Sequence, residues 1–294
     1  MSLDLDRVKK SARRVSKFAK RNPKRPSTDT VHKLRTSARH LESALVTLAL
    51  DSKRGVKSLL RDLKKTHRRA GAVRDMDVLT AKALTIDWRG EQDCLVRLLE
   101  HLGAERSKRA LKLRSAIAKR RRKVRRSLER GLKRVESVAE RSREDDDAET
   151  VRATIAHALQ VTSKLSHPGR LSKNNLHEYR LKVKELRDVL RLSNEAADSA
   201  LVPKLEEVKD AIGDWHDWVE LSDIAAERLD HGSACELSKR IAATRDQKYR
   251  HALSLTQGLI ADHLRPRVKK ASVAPPVLEA VAAIAQDTGP ELAH

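Results

Sequence analysis

The 294-residue chain carries 63 Lys and Arg against 41 Asp and Glu, a formal charge of +22, with aromatics at 2% of residues. Such an excess repels itself in a compact fold and points to a polyanionic partner: nucleic acid, an anionic membrane surface or another polymer of charge. The scarcity of Phe, Tyr and Trp argues against base-stacking readers of single strands, and the isolated Cys94 and Cys235 argue against a disulfide framework or a CxxC site.

The start, Met1 to Arg7, places charges where a signal peptide needs an apolar core. No apolar run approaches the roughly 18 residues that span a bilayer. The expectation is a cytoplasmic protein with no membrane insertion. With 10 Gly and 8 Pro in the whole chain, long helices are expected.

The first clear helical pattern runs from Thr28 to Leu50, entered after Pro26 and Ser27. Leu34, Ala38, Leu41, Leu45 and Leu48 recur at three- and four-residue steps and share one face. Val56, Leu59, Leu60 and Leu63 continue the pattern in a next helix, which the sequence reads as breaking at Gly71, with Asp75 or Asp77 capping a further short helix. From Gln92 to Val138, Leu95, Leu98, Leu102, Leu113, Ile117, Val124 and Leu128 keep helical spacing, with Gly103 placed to split the run. The acidic stretch Ser142 to Glu149 reads as an exposed junction. It divides the chain into an N-terminal half, 1–145, and a C-terminal half, 146–264, followed by a Pro/Ala-rich tail, 265–294, broken by Pro266, Pro275 and Pro276.

The second half echoes the first. Val31-His32-Lys33-Leu34-Arg35 through Arg39 aligns with Leu176-His177-Glu178-Tyr179-Arg180 through Lys184, and Gly71 through Asp75 aligns with Gly213 through Asp217. The offsets are 145 and 142, so two motifs recur in one order at nearly one spacing. That is the signature of duplicated helical units.

On a helix, His32, Arg35 and Arg39 fall within about 60° of arc, opposite Leu34 and Leu41. His177, Arg180 and Lys184 do the same, with Lys173 and Arg191 extending the stripe. The helix after Gly55 adds Lys57, Arg61, Lys64 and Arg68 at steps of four, three and four. Arg meets phosphate oxygens with a planar fork, Lys with a compact charge, and His with an N–H donor in either protonation state. Each half thus offers a helix with an apolar face for its bundle and a cationic, histidine-bearing face, and the two stripes can line a shared groove. A lone surface histidine is more often a boundary residue bonding a carbonyl; two in the same setting favour a ligand role. Neither stripe holds a nucleophile beside a base, and Arg three positions after each His repels a metal cation. Trp215 and Trp218 read as packing residues. In the run Lys119 to Lys123 with Arg125 and Arg126, charges point all around the helix.

These motifs resemble the CHAD domain, a helical domain named for its histidines, over about residues 5 to 264. The resemblance implies an all-α fold of two four-helix bundles related by pseudo-two-fold symmetry around a basic groove or pore. It implies binding of inorganic polyphosphate, association with polyphosphate granules, no catalytic residues and no cofactor. His32, Arg35 and Arg39 match the first motif's ligands, and His177, Arg180 and Lys184 the second's. The chain departs from the family pattern at His40, Glu42, Lys209 and His216. The competing reading is nonspecific nucleic-acid binding, which a charge of +22 supports on duplex phosphates regardless of detail. The stripes carry almost no Asn or Gln for reading bases, and an enzyme acting on phosphate chains would need Mg²⁺-holding carboxylates that they lack.

Overall fold

The computed structural model describes residues 5–47, 50, 53, 55–87, 92–141, 148–190, 200–229 and 235–265. Every regular element among them is a helix. In chain order they are α1 (Leu5–Arg21), α2 (Thr28–Thr47), α3 (Val56–Ala83), α4 (Gln92–Ala118), α5 (Arg121–Arg141), α6 (Ala148–Ser166), α7 (Leu176–Leu190), α8 (Leu201–Arg228) and α9 (Glu236–Leu259). α9 ends in one π-type turn, Ile260–Leu264. The described residues form two compact units, one within 5–141 with 228 and 229, the other within 148–227 and 235–265.

The first unit is built from α1 to α5. α2 begins where the sequence places it: Ser27 Oγ accepts the Thr30 N–H at 3.3 Å, satisfying a donor that the first turn leaves open. Its Leu34, Ala38, Leu41 and Leu45 are buried as their spacing predicts. They pack with Leu59, Leu60 and Leu63 of α3, Leu113 and Ile117 of α4, and Val124 and Leu128 of α5. α1 completes this core through Val8, Ala12, Val15 and Phe18.

Two expected helix breaks are absent. α3 runs unbroken through Gly71, and α4 through Gly103. Asp75 and Asp77 therefore cap nothing; both sit inside α3. Asp77 is buried instead and joins three helices: its Oδ1 accepts from Thr28 Oγ1 of α2 at 3.1 Å and from Arg106 Nε of α4 at 2.6 Å. Arg106 also donates to the Pro26 carbonyl at 2.9 Å, locking the entry to α2. The chain breaks at Lys119 and Arg120, between α4 and α5. Arg120 ties that turn to α3 through Asp62, at 3.2 Å.

In the second unit α6, α7, α8 and α9 share a core of Val161, Leu165, Leu176, Val183, Leu186, Leu205, Ile212 and Leu259. α7 is preceded by its own capping arrangement, in which Asn175 Oδ1 accepts the Ser172 N–H at 2.8 Å and Ser172 Oγ accepts the Asn174 N–H at 3.3 Å. Ser172 stands 145 residues after Ser27, so the duplication includes the helix cap. Trp215 and Trp218 are buried, as read from the sequence, and Trp215 packs against Tyr249 with ring centroids 5.5 Å apart. The π-type turn is pinned to α6, where Ser166 Oγ donates to the Leu264 carbonyl at 3.1 Å.

Candidate functional site

Each unit places its His-Arg helix in an antiparallel pair with a long partner, α2 with α3 and α7 with α8. The register is set by contacts that move in opposite senses. Glu42 faces Lys64; seven residues back along α2, Arg35 faces Gly71, seven residues on along α3. In the second unit Arg187 faces Glu206, and seven steps away on each helix Arg180 faces Gly213. The two hairpins therefore superpose residue for residue along their sequences.

The paired motifs explain each other. The motif glycine is a helix-interior residue against which the motif arginine packs, closely enough at Gly213 that an added side chain would crowd it. A Cβ at Gly71 would stand 3.6 Å from Arg35 Nε. At Gly213 it would stand 3.0 Å from Arg180 Nη2 and 3.2 Å from Nε. Arg180 Nε exploits this access by donating to the Lys209 carbonyl, one turn before the glycine, at 3.0 Å. In each unit the motif arginine is thus half-buried and lies beside the glycine of its partner helix. Arg35 Nη1 also lies 3.9 Å from Asp75 Oδ1, so the aspartate of the motif steers the arginine.

In the first unit the structure brings Arg35, Arg39 and Lys64 around His67 of α3, which the sequence reading passed over. Burial, followed by the charges of Arg35 and Arg39, holds the His67 imidazole below its ordinary pKa. Glu42 completes the cluster at 3.9 Å from both Lys64 Nζ and His67 Nδ1. Its carboxyl is raised by burial, with Lys64 and Arg39 acting in the opposite direction. His32 is exposed one turn before Arg35, and Lys57, Arg61 and Arg68 are exposed along α3. None of these four makes an ion pair or side-chain hydrogen bond with a described residue. His32 accordingly lacks the carbonyl contact that a boundary histidine would make.

In the second unit His177 meets His216 of α8, with ring centroids 4.8 Å apart and planes tilted by 42°. Burial, then His216 and Arg180, hold its pKa below the ordinary value, with Glu178 opposing. Lys184 is half-buried on the same face of α7. Lys173 is engaged differently from expectation: its Nζ pairs with Asp246 of α9 at 3.2 Å and sits 5.3 Å from the centre of the Tyr249 ring. Arg191 lies outside the described residues.

One difference between the hairpins was invisible from a single helix. Glu42 occupies the place of Arg187, and Lys64 the place of Glu206, so the same ion pair occurs with reversed polarity. In the second unit Glu206 accepts both Arg187 Nη1 bonds, at 3.0 and 3.1 Å, and also takes Lys209. Arg187 and Lys209 thereby have side chains only 12% and 13% exposed and belong to packing more than to the open face.

Helical in every described element and carrying a duplicated hairpin faced with His, Arg and Lys, the chain is an all-α protein with an internal repeat. The CHAD-domain family model matches residues 11–226, and the chain belongs to that family. A crystal structure of the CHAD domain from the plant Ricinus communis shares the fold with a TM-score of 0.53 and 18% identity, over 97% of this chain and 94% of that one. No curated protein matches the chain. Among the described residues no helix is long and apolar enough to cross a membrane.

Proposed function

We propose that the protein binds inorganic polyphosphate through the cationic faces of its two hairpins and has a binding role rather than a catalytic one. The observation that carries the reading is the glycine-seated arginine. In both units a guanidinium is pre-positioned beside a histidine by a residue on another helix. Pre-positioning of this kind removes ordering cost from ligand binding and suits a planar donor for phosphate oxygens. CHAD-family membership supports the choice of phosphate polymer, since polyphosphate binding is a property of that family. The reading places the protein in the cytoplasm, at polyphosphate granules.

The test is competition across a salt series, with labelled long-chain polyphosphate against duplex DNA and against short phosphates at equal phosphate concentration. Polyphosphate should win by orders of magnitude at physiological salt, and R35Q with R180Q should abolish the advantage while leaving helicity unchanged. Equal competition that collapses with salt would reduce the interaction to diffuse electrostatics and put duplex nucleic acid in its place.

A further inference from the structure

The first unit carries a second cationic surface outside the His-Arg stripe. Between α3 and α4 lies a hollow of about 350 Å³ lined by Lys65, Arg69, Lys112 and Lys119, with Ser115 and the exposed Leu111. It shares Lys119 with a hollow of about 440 Å³ at the α4–α5 turn, where Lys119 to Lys123 are consecutive basic residues. No carboxylate lines either one.

The charge there is unbalanced. Some cations of the unit are answered, Lys9 by Glu136 at 3.1 Å, Lys33 by Asp29 at 2.6 Å and Lys108 by Glu105 at 3.0 Å, but those along this edge, like Lys57, Arg61 and Arg68 of the stripe, are not. Lys65, Arg69, Lys112, Lys119, Arg121, Arg122 and Lys123 make no ion pair with any described residue. Arg120 is the exception, and its Asp62 partner is buried beneath the surface with a side chain 5% exposed. That pair fixes the turn in place and leaves the outward charge intact. Seven like charges along one edge cost self-repulsion that a bound anion relieves.

We propose that this edge is a second binding track, separate from the α2–α3 face, for an unbranched chain of linked phosphates. The lining sets the ligand class: cationic side chains with no carboxylate among them call for a polyanion. The lining contains no aromatic residue, so a single-stranded nucleic acid finds nothing on which to stack its bases. Lys65 and Arg69 follow Lys64 and Arg68 in sequence, about 100° further around α3. A long chain can therefore cross α3 from one face to the other, whereas a short one occupies one face at a time.

The assignment rests on polyphosphate being the ligand, and the experiment separates the two claims. Long-chain polyphosphate and tripolyphosphate are titrated against the full-length protein, K65Q/R69Q/K112Q and R35Q/R39Q/K64Q at several salt concentrations, with circular dichroism to confirm folding. The first variant should lose about tenfold in affinity for long chains and about two units of salt slope, near the 0.7 per neutralised phosphate found for single strands, with tripolyphosphate affinity unchanged. In the unmodified protein, lysine acetylation read by mass spectrometry should show Lys65, Lys112 and Lys119 protected by long chains. Unchanged affinity, slope and acetylation overturn the second track even if the stripe variant is defective. Loss in K65Q/R69Q/K112Q alone upholds the track and removes the α2–α3 face as the site. Weakening of duplex DNA binding only, with polyphosphate unaffected, overturns it as well.

Discussion

Replacing each motif glycine by alanine separates two effects that a single substitution would confuse. In a helix interior, Gly→Ala stabilises by about 0.5–1 kcal/mol because the unfolded chain loses freedom. At Gly71 the added methyl meets Arg35 Nε at 3.6 Å, an ordinary contact, so G71A should keep that gain. At Gly213 it meets Arg180 at 3.0, 3.2 and 3.4 Å, so the guanidinium must retreat. Retreat stretches the 3.0 Å bond from Arg180 Nε to the Lys209 carbonyl. A charge-assisted bond contributes about 1.5–3 kcal/mol, and losing part of it cancels the helical gain. Urea unfolding followed by circular dichroism should then place G71A about 0.5–1 kcal/mol above the parent, and G213A level with it or below. Polyphosphate affinity should fall in G213A and hold in G71A. Equal stabilisation at both positions with unchanged affinity would refute the seating of Arg180 on bare backbone.

Three further outcomes follow from the same contacts. His67 and His177 lie below the ordinary imidazole value of 6.5, so on acidification through that value the unfolded chain takes up protons first and stability falls; a bound polyanion reverses the shift, so calorimetry in buffers of different ionisation enthalpy should show proton uptake on binding and tighter binding toward pH 6. E42Q removes the carboxylate that competes for Lys64 and His67 and should raise polyphosphate affinity about threefold at low salt, the worth of a partly exposed ion pair of roughly 0.5–1 kcal/mol. D77N removes a buried charge with a side chain 4% exposed from an Arg106 that is 24% exposed, and urea unfolding should register a loss of about 2–3 kcal/mol, below the 3–5 of a fully buried pair because Arg106 keeps some water.

The helical class, the apolar face of α2 and its start after Ser27 were legible in the sequence because each depends on residues within a few positions of one another, and the repeat because whole motifs recur in order. The glycines were misread for the complementary reason. Gly71 is a helix breaker by local rules, yet Ala70, Val73, Met76 and Leu79 carry buried helical spacing straight through it; its purpose is set by Arg35, thirty-six residues earlier. Asp77 looked like a cap because its partners, Thr28 and Arg106, are remote in sequence. His67 escaped attention because its role appears only once α3 is laid antiparallel to α2. α1 was passed over although Val8, Ala12, Val15 and Ala19 supply the same kind of stripe that revealed α2. On α2 the apolar Leu34, Ala38, Leu41 and Leu45 are buried and His32, Arg35 and Arg39 are not, as their spacing implies, whereas the engagement of Lys173 with Asp246 and Tyr249 depends on α9, more than seventy residues downstream.

The reversed ion pair also bears on how a duplicated chain finds its own partners. Two similar hairpins in one polypeptide invite exchange, since α2 resembles α7 and α3 resembles α8, and misassembly between alike modules is a common folding error in repeat proteins. With Glu42 answered by Lys64 and Arg187 by Glu206, the wrong combinations are penalised. α2 laid against α8 would set Glu42 against Glu206, and α7 against α3 would set Arg187 against Lys64. Discrimination by repulsion of the mismatched pair works where attraction alone would not. With opposite signs at this contact in the two copies, each mismatched pairing brings like charges together, which favours each helix pairing with its neighbour in sequence.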